Sequence, residues 1–350
     1  MTLEEAIAKI KPLDHNAMEI AQKRWDSIAK PLHSLGKLET LLIQIAGITG
    51  NAEVDLSRRG LIAMCADNGV VEEGVTQTGQ EVTAIVAENF LKYDTSVGVM
   101  CKQNHAEIFP VDMGMVTDTK VRTDHKIAYG TQNMTKGPAM TREQAVQALE
   151  VGIHMVEELK EKGYGIVATG EMGIGNTTTS SAVAAALLSC DPKEITGKGA
   201  GLSDTALLRK IAVVEEGIQM HELYQADAFD VLCAVGGLDI AGLSGVFIGG
   251  ALAHVPVVVD GVISAVAALA AERMIPGVRD YVIPSHKSRE PAAERILEEL
   301  GIRPVLDAGL ALGEGTGAVM MCGLLDIART IYGERTTFAD IDVAPYHRFG

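Results

Sequence analysis

The sequence predicts an α/β protein with a parallel sheet of about six strands and a smaller helical layer formed by the two ends of the chain. Three observations carry that reading. From about residue 60, short and continuously apolar runs alternate with helical patterns, as strands covered on both faces do. Apolar residues make up 47 % of the 350 residues and aromatics only 4 %, so the core is built of Ala, Val, Ile and Leu. Each apolar run ends in glycine or polar residues, and right-handed crossovers bring those ends to one edge of a sheet, where ligands bind.

Taken in order, residues 1–50 read as helices, with 38–48 the clearest after the turn from Lys30 to Lys37. The expected strands are 61–66, 106–111, 165–169, 231–235, 255–259 and 281–283. A helix is expected over 142–162, where Val146, Leu149, Ile153, Val156 and Leu159 keep a three–four spacing. The tail from about residue 291 leaves the rhythm. Residues 59–290 are therefore assigned to a large α/β domain, and 1–58 with 291–350 to a small helical one.

Bulk properties narrow the function. A net charge of −16 argues against nucleic acid or an anionic membrane as partner. The five cysteines form no CxxC or CxxH pattern and read as reduced core thiols. The start, MTLEEAIAKI, lacks the basic-then-apolar order of a signal peptide, and the apolar stretch 240–259 is broken by glycines, His254 and Pro256. A cytoplasmic protein is expected. Nine histidines show no ligand spacing, so no metal site and no cofactor are expected.

The most informative stretch is 163–189, GYGIVATGEMGIGNTTTSSAVAAALLS. An apolar run leads into Gly170, Gly173 and Gly175, and Asn176 with the threonines after it reads as the cap of a small-residue helix. Bare backbone N–H groups and a helix N-terminus then face one point, which suits a single phosphate. The P-loop lysine is missing, with Asn176 in its place, and Thr178 replaces the third glycine of a dinucleotide fingerprint. An ordinary βα turn is the plainer alternative. Glu171 is the odd residue, an acid expected inside the turn.

Three further stretches hold candidate chemistry. Glu314, in GLALGEGTG, is the only charge between Asp307 and Asp326. Held by bare backbone with little water, such a carboxylate suits a base near neutral pH, although it equally suits a simple helix cap. Glycines at 197, 199 and 201 precede a helix bearing Lys210, either a cation for a phosphate or a solvated surface lysine. The run His286-Lys287-Ser288 ends a strand, where the Ser288 hydroxyl and the next amides can receive a phosphate.

Eight segments together resemble one family: KPLHSLGKLE at 30–39, MCADNGVVEEGV at 64–75, GEMGIGNTT at 170–178, the segment 197–210, VGGLDIAGLSG at 235–245, PVVVDG at 256–261, IPSHKS at 283–288 and LGEGTGA at 312–318. The chain is identified by them as a member of the nicotinate-nucleotide:dimethylbenzimidazole phosphoribosyltransferase family. The resemblance implies a Rossmann-like sheet, a small domain from both termini, and a homodimer with active sites near the subunit interface. It implies transfer of ribose phosphate from nicotinate mononucleotide to an aromatic base, giving an α-riboside 5′-phosphate and nicotinate. By position, Glu314 matches the catalytic base and Glu171 a second acid. Gly173, Gly199, Lys210, Gly261 and Ser288 match phosphate or ribose contacts, with Asp260 beside them. Met172 and Leu312 match apolar contacts to the acceptor.

Departures from the family pattern gather around the acceptor. Asn68 stands where the family has histidine, Thr78-Gly79 replaces serine–proline, and Val86 replaces a glutamine. Buried polar contacts discriminate more sharply than apolar ones, so a different acceptor is expected: a benzimidazole without methyls, a purine, or a phenol joined through oxygen. Neutral drift around dimethylbenzimidazole is the alternative. The phenolic reading brings in a heterodimer with a homologous chain, and with it a non-catalytic partner or nucleotide-binding subunit.

Overall fold

The computed structural model describes residues 9–333 and 336–348. The helix expected at the start of the chain lies partly outside them. Helix α1 (His15–Ser27) begins at Asp14, whose Oδ1 accepts the Ala17 N–H at 3.0 Å. Helix α2 (Lys37–Thr49) ends at Gly50 in the left-handed conformation. Strand β1 (Arg59–Ala66) is buried along its whole length. After it come α3 (Glu81–Lys92), α4 (Ser96–Asn104), β2 (Ala106–Gly114), α5 (Arg142–Glu161) and β3 (Ile166–Met172).

The second half holds α6 (Asn176–Leu188), the single turn α7 (Pro192–Ile195), α8 (Asp204–Met220), α9 (Ala228–Val235) and α10 (Leu238–Ala253). Strands β4 (Val257–Val258) and β5 (Val282–Ile283) flank α11 (Val262–Met274), and α12 (Ala292–Glu299) and α13 (Thr316–Gly333) follow.

All five strands are parallel, in the order β2-β1-β3-β4-β5. The chain builds outward from β1 to β2, then jumps back across β1 to β3. A cleft opens beyond the C-terminal ends of β3, β4 and β5, with α3 on one side. The sheet therefore has five strands and not six: residues 231–235 belong to helix α9. That helix starts at Asp227, whose Oδ1 accepts the Phe229 N–H at 2.8 Å. Five apolar residues have no period of their own, and here a cap decided between strand and helix.

Helix α10 is almost wholly buried and packs along α5. Their backbones touch because glycines face them: a Cβ at Gly249 would lie 2.9 Å from the Ile153 Cα. The two ends of the chain also meet. The Trp25 and Tyr332 rings are 5.1 Å apart, and the Tyr332 hydroxyl donates to the Ala52 carbonyl at 2.8 Å. Helix α13 packs on α2, α4 and β3, so the tail returns to the strand edge.

Candidate active site

Strand β3 runs three residues further than its apolar run suggests, so Gly170, Glu171 and Met172 are strand residues and not part of the turn. Extended backbone lets the 313–315 loop lie flat against it. A Cβ at Gly170 would sit 2.5 Å from the Glu314 carbonyl oxygen. The loop is unusual in itself. Gly313, Glu314 and Gly315 have φ of 90°, 62° and 97°, three consecutive left-handed residues with a side chain on the middle one. Non-glycine residues rarely adopt that region, and such strain persists only where surrounding contacts hold it.

Those contacts come from both sides. The Glu314 N–H approaches Oε1 of Glu171 at 3.4 Å. Its carboxylate oxygen Oε2 accepts the Val97 N–H at 3.1 Å, in the first turn of α4, where a helix favours negative charge. Asp260 accepts three amides: Gly315 through Oδ2 at 3.1 Å, and Gly317 and Ala318 through Oδ1 at 2.7 and 3.1 Å. Asp260, expected beside the phosphate and ribose contacts, lines the cleft with them and places its carboxylate on the start of α13.

Glu171 is itself buried and belongs to an acidic cluster. The Asn176 amide nitrogen donates to Oε2 of Glu171 and, at 3.1 Å, to Oδ2 of Asp239. Burial, together with the neighbouring Asp239 charge, pushes the Glu171 carboxyl up to about 8; the Asn176 bond opposes the shift. Burial raises Asp239 to about 7 and Asp260 to about 6. Asn176 is therefore not a cap. Gly175 holds that position with φ 94° and no side-chain bond. The desolvated carboxylate expected of Glu314 is found at Glu171, since Glu314 is only half-buried.

Lys210 is fully buried, which rules out the solvated-surface alternative. Its Nζ donates to Thr177 Oγ1 at 2.8 Å and to the Gly197 carbonyl at 3.0 Å. Burial lowers it to about 8, with the Glu290 charge acting the other way. Gly199 must lack a side chain here, because a Cβ would lie 2.7 Å from Thr177 Oγ1.

One cleft of about 380 Å³ collects these groups. Glu314, Glu171, Gly173, Gly199, Asp260, Gly261 and Ser288 line it, as do Thr78, Val86, Met172 and Leu312. Lys210 stands behind the wall, reaching it through Thr177. Asn68 does not line it. Buried beneath the glycine turn, Asn68 donates to the Ile174 carbonyl at 3.4 Å, leaving Oδ1 without a partner. Of the three departures from the family pattern, those at 78 and 86 face the cleft and the one at 68 does not. Val82, Ile174 and Thr177 line it too, unforeseen from sequence.

A family model described as Phosphoribosyltransferase matches residues 10–343. A nicotinate-nucleotide–dimethylbenzimidazole phosphoribosyltransferase of Ruminiclostridium cellulolyticum is 47 % identical over 348 residues, 99 % of each chain. The chain belongs to the nicotinate-nucleotide–dimethylbenzimidazole phosphoribosyltransferase family. The enzyme of that name from Acetivibrio thermocellus is 45 % identical over 98 % of this chain and 99 % of its own. The crystal structure of CobT from Thermus thermophilus superposes with a TM-score of 0.88 at 36 % identity, covering 94 % of this chain and 99 % of that one. Among the described residues of this phosphoribosyltransferase, no helix is long and apolar enough to cross a membrane. No group of three or more His, Cys, Asp or Glu there is arranged to hold a metal ion.

Proposed function

We propose that this phosphoribosyltransferase moves ribose 5-phosphate from nicotinate mononucleotide to an aromatic acceptor that becomes the lower ligand of a cobamide, with Glu314 as general base. The observation that carries the reading is that Glu314 and the glycine turn after β3 open into the same cleft. The nicotinate nitrogen is cationic while bound to C1′, so it leaves without being protonated. As the C1′–N bond breaks, its electron pair returns to the nicotinate ring, and the acceptor's lone pair forms the new bond from the opposite face. That in-line geometry converts the β-nucleotide into an α-riboside. The acceptor's surplus proton passes to Glu314, whose Oε2 is already held by Val97 and whose Oε1 is the oxygen left to receive it.

Gly173, Gly199, Gly261 and Ser288 hold the phosphate and ribose, and the buried Lys210 adds its charge from behind through Thr177. Glu171, its carboxyl raised to about 8 by burial, faces the ribose end of the cleft. Nicotinate release, measured with nucleotide and a panel of benzimidazoles and phenols, tests the assignment. Exchange of Glu314 for Gln lowers kcat by roughly 10²- to 10⁴-fold while nucleotide binding persists. Equal turnover by the two proteins removes Glu314 from the mechanism.

Val86 supports a second reading, an acceptor other than dimethylbenzimidazole, since an apolar residue lines the cleft where the family pattern has an amide. Leu312 is 53 % exposed on that cleft, which fits a second subunit, identical or homologous, that completes the acceptor wall. Ordinary rates with dimethylbenzimidazole alone would defeat the altered-acceptor reading.

A further inference from the structure

We propose that Asp260 is a positioning residue that holds Glu314 in its reactive geometry by gathering the amides of Gly315, Gly317 and Ala318 onto one buried carboxylate. The inference rests on Glu314 as the base. Three left-handed residues in a row do not hold themselves, and a non-glycine at the middle position is strained. The segment must be clamped on both flanks. On one side the Glu314 N–H meets Glu171; downstream, Asp260 accepts the N–H of the very next residue, Gly315, and those of Gly317 and Ala318.

Asp260 is fixed in its turn. Its own N–H donates to Ser264 Oγ at 3.1 Å, and that hydroxyl lies 2.6 Å from Thr169 Oγ1, which donates to the Val258 carbonyl at 2.8 Å. A continuous chain of hydrogen bonds thus runs from β3 and β4 through α11 to the loop. Both Asp260 oxygens are occupied and the residue is 4 % exposed. Oδ1 of this carboxylate takes two amides and Oδ2 one, so at most a single lone pair is left for a sugar hydroxyl, and its charge repels a phosphate. Its partners identify its work: it fixes backbone.

Asp260→Asn keeps the shape but replaces one acceptor with an N–H₂ that faces donors. Steady-state rates of Asp260→Asn, Glu314→Gln and the double variant make the test. The single Asp260 variant loses about 10²-fold in kcat, the cost of about an ångström of misplacement, with KM for nicotinate mononucleotide within about twofold. In the Glu314→Gln background the same change costs about twofold or less, because the group it positions is already gone. A raised KM at constant kcat assigns Asp260 to the sugar phosphate and overturns the proposal. So does an equal loss of kcat in both backgrounds. Full activity of Glu314→Gln alone defeats the base assignment, whatever Asp260 does. Should Asp260→Asn fail to fold, Ser264→Ala, which frees the Asp260 N–H, carries the test: kcat drops severalfold at constant KM, and an unchanged kcat overturns the proposal.

Discussion

The main-chain N–H of Glu314 lies 3.4 Å from Oε1 of Glu171, although 143 residues separate them in the chain. One acid therefore supports the backbone of the other, and the two cannot be altered independently. The contact exists because Gly170 has no side chain and because the 313–315 loop is left-handed throughout. Local backbone geometry, packing and chemistry meet at this one point.

Gly170→Ala tests the close approach. The added methyl would lie 2.5 Å from the Glu314 carbonyl, a backbone atom that cannot rotate away. The loop must lift, and kcat falls by roughly 10²-fold. Overpacking destabilises the fold by about 1–3 kcal/mol. Thermal melting and turnover, measured on one preparation, check both; a variant with normal kcat shows that the loop is free to move without harm.

The buried acids give stability a definite pH dependence. Folding raises Glu171 from 4.5 to about 8, so the native state binds more protons across that window. Stability is complete below the lower value and falls as pH rises through the upper one. Glu171→Gln removes this linkage, so melting temperatures of variant and wild type diverge in the variant's favour between about pH 5 and about pH 9. Asp239, raised to about 7, adds a slope of the same sign in both proteins. Parallel curves over that range would contradict a raised Glu171.

Lys210 sets an alkaline limb for binding. With its ammonium lowered to about 8, the charge is present below that pH and lost above it. The value of kcat/KM for the nucleotide, which reports the free enzyme, therefore declines above about pH 8. Lys210→Met lowers kcat/KM at neutral pH by roughly 10- to 100-fold, the worth of a charge-assisted hydrogen bond, and abolishes the decline. An alkaline limb that survives in the variant belongs to another group.

Val86 is the place to alter acceptor choice. Val86→Gln returns an amide to the cleft wall, and the ratio of kcat/KM for benzimidazoles over phenols rises by about tenfold, one good hydrogen bond. Competition between the two acceptors in one reaction reads the ratio directly. No change in it would place acceptor choice elsewhere, Thr78 and Met172 being next on the cleft.

Glycines and isolated charges make much of the site legible in the sequence. Gly173 and Gly199 stand where backbone must come close, and Glu314 stands out as one charge in an apolar segment. The same sign is present at Asp239, the only Asp, Glu, Lys or Arg from 231 to 259, yet its meaning needs the fold. Only the parallel register brings α10 under β3, so that Asn176 bonds both Glu171 and Asp239. Asp260 escapes a sequence reading for a related reason: its three amide partners lie more than fifty residues away, and no local pattern announces them. Helix α9 shows the limit for secondary structure, where five apolar residues follow the Asp227 cap.

The placement of Glu314 beyond the last strand has a consequence for biogenesis. A nascent chain has all five strands and the sugar-phosphate cradle in hand before the proposed proton acceptor leaves the ribosome. Helix α13 follows directly and buries Val319, Met321, Leu325 and Tyr332 in the core, so closure of the core and arrival of the proton acceptor fall in the same late step of synthesis.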